Sequence, residues 1–336
     1  MTTQYAPQLN VIRDVQSLVK DRTPEGFLMG LGGPSLLTFA GRDTQRCRVI
    51  VTLLHGNEPS GLRAVMTLAQ QGWQPAVTTH VIIASTAAAA TLPMFSHRML
   101  PGCEDLNRCF SGRGDSPQYA LADAIVRTII SLEPECVIDL HNTSGSGPAF
   151  CVSVSDSAQH QALASAFAPW MIVTDIRLGS LMEQSLGCPV VTIEAGGAKD
   201  ALADRVALAG IIELGRRDNP LVASQPVSLL CHPRRLELQT GCTVAYQDGP
   251  DTATDVCLRT DIESLNFGCT PAGTHLGWVR EEGLAAFRLD CDDEAVSAFF
   301  TTDEHSLFNK VPLRLFMVTT NADIARSDCL FYFIPT

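Results

Sequence analysis

Residues 49–58, VIVTLLHGNE, form an apolar, β-branched run that stops abruptly at a histidine, a glycine, an asparagine and a glutamate. The run has the length and composition of a buried strand, and a parallel α/β sheet presents its chemistry just beyond the carboxyl ends of its strands. Pro59, Ser60 and Gly61 follow, and then Leu62, Val65, Met66, Leu68 and Ala69 recur at helical spacing. His55 and Glu58 therefore fall on a strand-to-helix turn at the mouth of a crevice. Three residues apart on such a turn, the two side chains can face one cation.

A lone His-x-x-Glu is a weak signal. Here it gains weight because none of the other histidines has an acidic residue within the next four positions, and because two further apolar runs end in the same manner. Residues 136–141, CVIDLH, stop at His141, and residues 189–194, PVVTIE, stop at Glu194. A buried core histidine explains one such ending but not three. Two imidazoles and a carboxylate, with one position left for water, are the ligand set of hydrolytic zinc sites, so His55, Glu58 and His141 read as metal ligands. Glu194 is the candidate base for the activated water. Asp139 shares a strand face with His141; it suits either the orientation of that imidazole or a hydrogen bond to backbone.

At 336 residues the chain is long enough for two domains, and with 46% apolar and 18% charged residues it has ample material for cores. The net charge of −12 argues against nucleic acid and anionic membrane surfaces as partners, while local arginines leave room for a small anionic substrate. Neither a leader with a basic start and an apolar stretch nor a run of ~20 apolar residues is visible, which predicts a cytoplasmic protein with no membrane span. The 12 cysteines are scattered without a C-x-x-C pair and read as reduced, mostly buried small hydrophobes. The chain remains open to homo-oligomer formation.

Along the chain, residues 11–21 are expected as a helix and 30–34 as a turn. Residues 36–40 and 48–54 read as neighbouring strands around the polar turn GRDTQ. A helix ending near 72 and a strand at 80–85 follow, so strand, helix and strand imply a right-handed crossover. Residues 86–115 look irregular, and an irregular stretch of that length in a compact domain is usually functional. Next come a helix at 117–132, the strand ending at His141, a strand at 149–154, a helix at 159–168, the strand ending at Glu194, a turn opened by Gly196 and Gly197, and a covering helix at 200–214. Beyond 220 helical periodicity fades and short apolar segments alternate with Gly, Pro and Asp turns. The expected architecture is an α/β domain over 1–221, with a mixed, mainly parallel sheet flanked by helices, followed by a smaller mainly-β domain over 222–336.

Within the irregular stretch, Asn107 and Arg108 place an amide beside a planar guanidinium, which suits a substrate carboxylate. Arg98, ten residues earlier, is a candidate donor to the oxyanion of a tetrahedral intermediate. Taken together, HGNE at 55–58, EDLNRCF at 104–110, DLHNTS at 139–144 and TIEAGG at 192–197 resemble the succinylglutamate desuccinylase/aspartoacylase family of zinc-dependent deacylases, whose fold is similar to that of zinc carboxypeptidases. The resemblance spans about 48–200. It implies one zinc ion per chain on His55, Glu58 and His141, general acid/base work by Glu194, carbonyl polarisation by Arg98, and substrate carboxylate binding by Asn107 and Arg108. It also implies a β-rich C-terminal domain bordering the active-site mouth. Aspartoacylases proper carry a Tyr and an Arg shortly before the catalytic glutamate; residues 178–187 contain neither, and Arg177 lies upstream.

The expectation is a zinc-dependent deacylase acting on a small N-acylated, carboxylate-bearing amine or amino acid. A zinc carboxypeptidase acting on short peptides would use the same machinery. A non-catalytic metal-binding interaction protein is the reading from another class.

Overall fold

The structure, a computed structural model, describes residues 8–20, 23–290 and 294–336. By contact it divides into two compact units, residues 1–142 with 149–229 and residues 143–148 with 230–336.

The first unit runs β1 (Asn10–Ile12), α1 (Pro24–Leu31), β2 (Ser35–Phe39), β3 (Asp43–Thr52), α2 (Ser60–Gln70), β4 (Val77–Ile83), α3 (Thr86–Ala90), α4 (Pro117–Leu132), β5 (Val137–Thr143), β6 (Phe150–Ser153), α5 (Ala158–Ala164), β7 (Trp170–Val173), β8 (Val190–Gly197), α6 (Ala201–Arg216) and β9 (Ser228–Cys231). Its strands form one mixed sheet in the order β1-β2-β4-β3-β5-β8-β6-β7-β9. The strand β3 runs parallel to both β4 and β5, while β2 is antiparallel to β4. Alternation along β3 sets the layers. Ile50 points into a core shared with α1, α2 and α6, whereas Val49 and Val51 point into a second core closed by Ala122, Ile125 and Ile129 of α4. Each such buried aliphatic side chain stabilises the fold by about 1.5–3 kcal/mol relative to exposure.

The mixed α/β class is as expected, and several local readings are corrected. Residues 11–20 are not an α-helix: Val11 pairs with Leu36 as part of β1, and a 3₁₀ segment follows at Val15–Lys20; position 21 lies outside the described residues. The strands β2 and β3 do not pair, because β4, returning from α2 parallel to β3, takes the place between them. The stretch 86–115 opens with the alanine helix α3, whose Ala88 and Ala89 are buried. Gly196 and Gly197 end β8 rather than open a turn. The strand β7 was not anticipated at all.

The second unit carries β10 (Arg234–Leu238), β11 (Val244–Tyr246), β12 (Val256–Leu258), β13 (Cys269–Thr270), β14 (His275–Val279), β15 (Phe287–Leu289), β16 (Phe300–Asp303), β17 (Ser306–Asn309), β18 (Leu313–Phe316), α7 (Ala322–Ser327) and β19 (Phe331–Pro335). Two five-stranded sheets, β13-β18-β19-β10-β15 and β11-β12-β14-β17-β16, contribute to one core that includes Leu236, Phe331 and Phe333 from the first and Leu276, Phe300 and Leu307 from the second. The described cysteines are free thiols, and Cys291 lies outside the described residues. No helix among the described residues is long and apolar enough to cross a membrane.

Candidate metal centre

Parallel pairing of β3 with β5 brings two distant histidines together. Thr52, the last residue of β3, is level with Leu140, so His141 emerges one position later on the neighbouring strand. The chain leaves β3 through Leu53, held at a φ of 57°, an uncommon conformation for a side-chain-bearing residue. At Gly56 a Cβ would lie 2.5 Å from the Ala89 nitrogen and 2.7 Å from the His97 carbonyl oxygen, so only glycine lets the turn pass there. The rings of His55 and His141 end with their centroids 5.0 Å apart.

Glu58 lies between them. Its Oε1 is 2.8 Å from His55 Nδ1 and its Oε2 is 2.7 Å from His141 Nδ1. All three residues are buried, and one ligand atom from each fits within 4.8 Å of the others, a spacing that can hold a metal ion. The opposite ring nitrogens face carboxylates. His55 Nε2 is 2.9 Å from Asp105 Oδ1, and His141 Nε2 is 2.9 Å from Asp139 Oδ1, within ion-pair reach but out of line for a hydrogen bond. Carboxylate oxygens thus face both nitrogens of each ring; a cation bound at Glu58 would take the Nδ1 positions and leave the Nε2 protons to Asp105 and Asp139. Asn142 fixes the local backbone: its Oδ1 accepts from the Ser60 N–H at 3.1 Å, and its Nδ2 donates to Ser60 Oγ and to the Gly196 carbonyl, each at 2.9 Å. One side chain thereby joins the start of α2 to the ends of β5 and β8.

The charges are strongly interdependent. Burial pushes the Glu58 carboxyl up, but His55 and His141 override it and hold the group well below the usual carboxylate range. Burial likewise works against the charged form of His141, yet Asp139 and Glu58 raise it well above an ordinary histidine. Glu194 behaves in the opposite way. Burial, with smaller contributions from Glu58 and Asp139, pushes it up to about 8 against the pull of His141 and Arg98, and its Oε2 is buried without a hydrogen-bond partner. A carboxyl of this kind sits near the neutral range where proton transfer is most useful.

The structure places Arg98 beside the centre. Its Nε donates to Asp105 Oδ2 at 2.9 Å, and one of its terminal nitrogens lies 3.6 Å from Glu58 Oε1. Asp105 joins both groups, since its other oxygen receives His55. Burial pushes Asp105 up, but His55, Arg98 and Arg108 hold it well below the ordinary range. Sequence reasoning gave Asp105 no role; its place within EDLNRCF was the available signal, but its contact with a histidine 50 positions earlier depends on the course of the loop. Asn107 is buried, with its Oδ1 accepting from the Leu181 N–H at 3.1 Å, and Arg108 donates from a terminal nitrogen to the Asn107 carbonyl at 3.1 Å. Arg177 donates to the carbonyls of Thr174 and Ile176 in its own loop, and His97 Nε2 lies 3.2 Å from the Leu92 carbonyl.

Fold and site together define an α/β protein with a candidate metal centre at the carboxyl ends of its strands. Residues 47–210 match the family model described as the succinylglutamate desuccinylase/aspartoacylase catalytic domain. No curated protein matches the chain in sequence. Among solved structures, the chain is similar in fold to a succinylglutamate desuccinylase/aspartoacylase from Rhodobacter sphaeroides, with 17% identity over 84% of this chain and 82% of that one and a TM-score of 0.53. It is similar to the succinylglutamate desuccinylase from Vibrio parahaemolyticus at 17% identity, covering 88% of this chain and 97% of that one with a TM-score of 0.53. It is also similar to the ectoine utilization protein EutE (DoeB) from Ruegeria pomeroyi at 17% identity, covering 82% and 80% with a TM-score of 0.51.

Proposed function

We propose that the chain is a zinc-dependent hydrolase that cleaves the amide bond of a small N-acylated amino acid or related carboxylate-bearing N-acyl amine. The observation that carries this reading is the convergence of two Nδ1 atoms on the two oxygens of Glu58, with a carboxylate close to each Nε2 and a buried carboxyl, Glu194, raised toward neutrality alongside. The donor set suits zinc: two imidazoles and one carboxylate. A zinc ion held by His55, Glu58 and His141 supplies a Lewis acid and a water acidified to a pKa of ~7.

The remaining work falls to the protein. Glu194 takes a proton from the attacking water and returns it to the leaving amine, acting first as base and then as acid. Arg98 is oriented by Asp105 and donates to the oxygen that gains charge at the scissile carbonyl. Arg108 and the amide of Asn107 hold the substrate carboxylate, so that the acyl carbonyl is presented to the centre rather than diffusing past it.

The test is metal content together with turnover on N-acyl amino acids and, in parallel, dipeptides. The expected result is one zinc per chain, hydrolysis of N-acyl amino acids in preference to dipeptides, and a Glu194→Ala variant that retains zinc while losing about 10²–10⁴-fold in kcat/KM. Full activity in that variant removes Glu194 from its role. Preference for dipeptides makes the chain a carboxypeptidase instead.

A further inference from the structure

The contacts of Asn107 lead away from the metal centre as well as toward it. Its backbone N–H donates to Asp105 Oδ1 at 2.8 Å, the same oxygen that receives His55 Nε2, while its side-chain Oδ1 accepts from Leu181. Leu181 lies in the segment 178–184, which returns to this turn at three further points. The Phe110 N–H donates to the Gly179 carbonyl at 3.0 Å, Gln184 Nε2 donates to Ser111 Oγ at 3.1 Å, and a Cβ on Gly179, whose φ is +81°, would lie 2.5 Å from the Arg108 carbonyl oxygen. The segment is also braced from within. The Glu183 carboxylate accepts from the backbone N–H groups of Leu178, Gly179 and Ser180 and from Ser180 Oγ, at 2.8–3.1 Å.

We infer that Asn107 is a positioning residue: its side-chain carbonyl locks segment 178–184 against the turn that orients His55, and this lock fixes which end of its own amide is left to meet the substrate. The second half follows from the amide's chemistry. An asparagine side chain has one acceptor oxygen and one donor nitrogen, and a carboxylate can be received only by the donor. With Oδ1 committed to a buried N–H, the amide cannot rotate half a turn without leaving Leu181 unsatisfied, at a cost of about 1–3 kcal/mol. Nδ2 is thereby held on the opposite side, the orientation that binding of an anion by Asn107 requires. This second half rests on the function proposed above; the first half does not.

The experiment is amide hydrogen exchange across 178–184 in the zinc-loaded protein, alongside KM and kcat on N-acyl amino acids. Asn107→Ala is expected to speed exchange in that segment about tenfold or more and to raise KM more than it lowers kcat. Asn107→Asp keeps an acceptor for the Leu181 N–H, so protection is retained while KM still rises because the donor is gone. Gly179→Ala reaches the same lock without touching Asn107: the added methyl must push the segment off the Arg108 carbonyl, and exchange in 178–184 rises likewise. Unchanged exchange in both Asn107→Ala and Gly179→Ala overturns the lock. Loss of protection in Asn107→Asp equal to that in Asn107→Ala overturns the acceptor as its cause. If no N-acyl substrate is turned over, the proposed function fails while the exchange comparison still decides the lock.

Discussion

The two ends of the central sheet treat buried charge in opposite ways. Level with the amino end of β5, Arg48 of β3 is completely buried and each of its guanidinium nitrogens has a partner: it donates to Glu135 Oε2 at 3.0 Å and to the carbonyls of Leu214, Arg217 and Asp218 at 2.6, 2.7 and 3.2 Å. At the carboxyl end, Glu194 keeps an oxygen buried without a partner, and His141 and Asp139 are close but out of line. A buried charge with a partner at each nitrogen holds a fold together. A buried group left short of partners calls for a reason beyond the fold, and here the shortage lies beside the candidate metal ligands His55, Glu58 and His141. Closing the first end and opening the second are therefore two uses of the same low-dielectric interior.

The largest effect that would break this contrast lies at the closed end. Arg48→Met should destabilise the protein by about 3–5 kcal/mol, because three carbonyls lose their donor and Glu135 keeps only Arg46, whereas turnover per folded molecule should stay unchanged. Chemical denaturation with parallel kinetics measures both. A loss below about 1 kcal/mol would show that the closed network contributes little. The open end should respond in the reverse sense. Asp105→Asn removes the charge that faces His55 Nε2 and Arg98, and it should weaken zinc affinity about 10–100-fold. Competition with a chelator reads the affinity; an unaltered value would detach Asp105 from the metal centre.

The contrast also separates what was legible in the sequence from what was not. The strands β3, β5 and β8 are long apolar runs with polar endings, so their existence and the level of their ends could be read directly, and α4 was bounded by Pro117 and the end of its apolar spacing. Fold class followed from those elements because strand–helix–strand order constrains topology. The order within the sheet did not, since β2 and β3 are equally plausible neighbours until β4 is seen to lie between them. The helix α3 was hidden in Ala87–Ala90, where uniform alanines carry no periodicity, and β7 has only four residues. Asp105 and Leu181 were invisible for a different reason. Their contacts with His55 and Asn107 span 50 and 74 positions through irregular chain, and no spacing rule reports such proximity.

A pH dependence sharpens the contrast at Glu194. Its carboxyl is raised from an ordinary value of 4.5 to about 8 in the folded, metal-free protein, with burial as the main cause. Below pH 4.5 the group is protonated whether the chain is folded or not, so its contribution to stability is fully present. Between 4.5 and 8 the unfolded chain releases the proton while the buried carboxyl retains it, so stability falls as pH rises, and above 8 the loss is complete. Glu194→Gln cannot titrate and should remove that part of the slope. Zinc should flatten it in the unmodified protein, because a nearby dication favours the carboxylate. Thermal melts of both metal-free proteins across this window give the comparison. Equal slopes would mean that Glu194 does not hold a proton at neutral pH, and the difference between the two ends of the sheet would then rest on His141 and Asp139 alone.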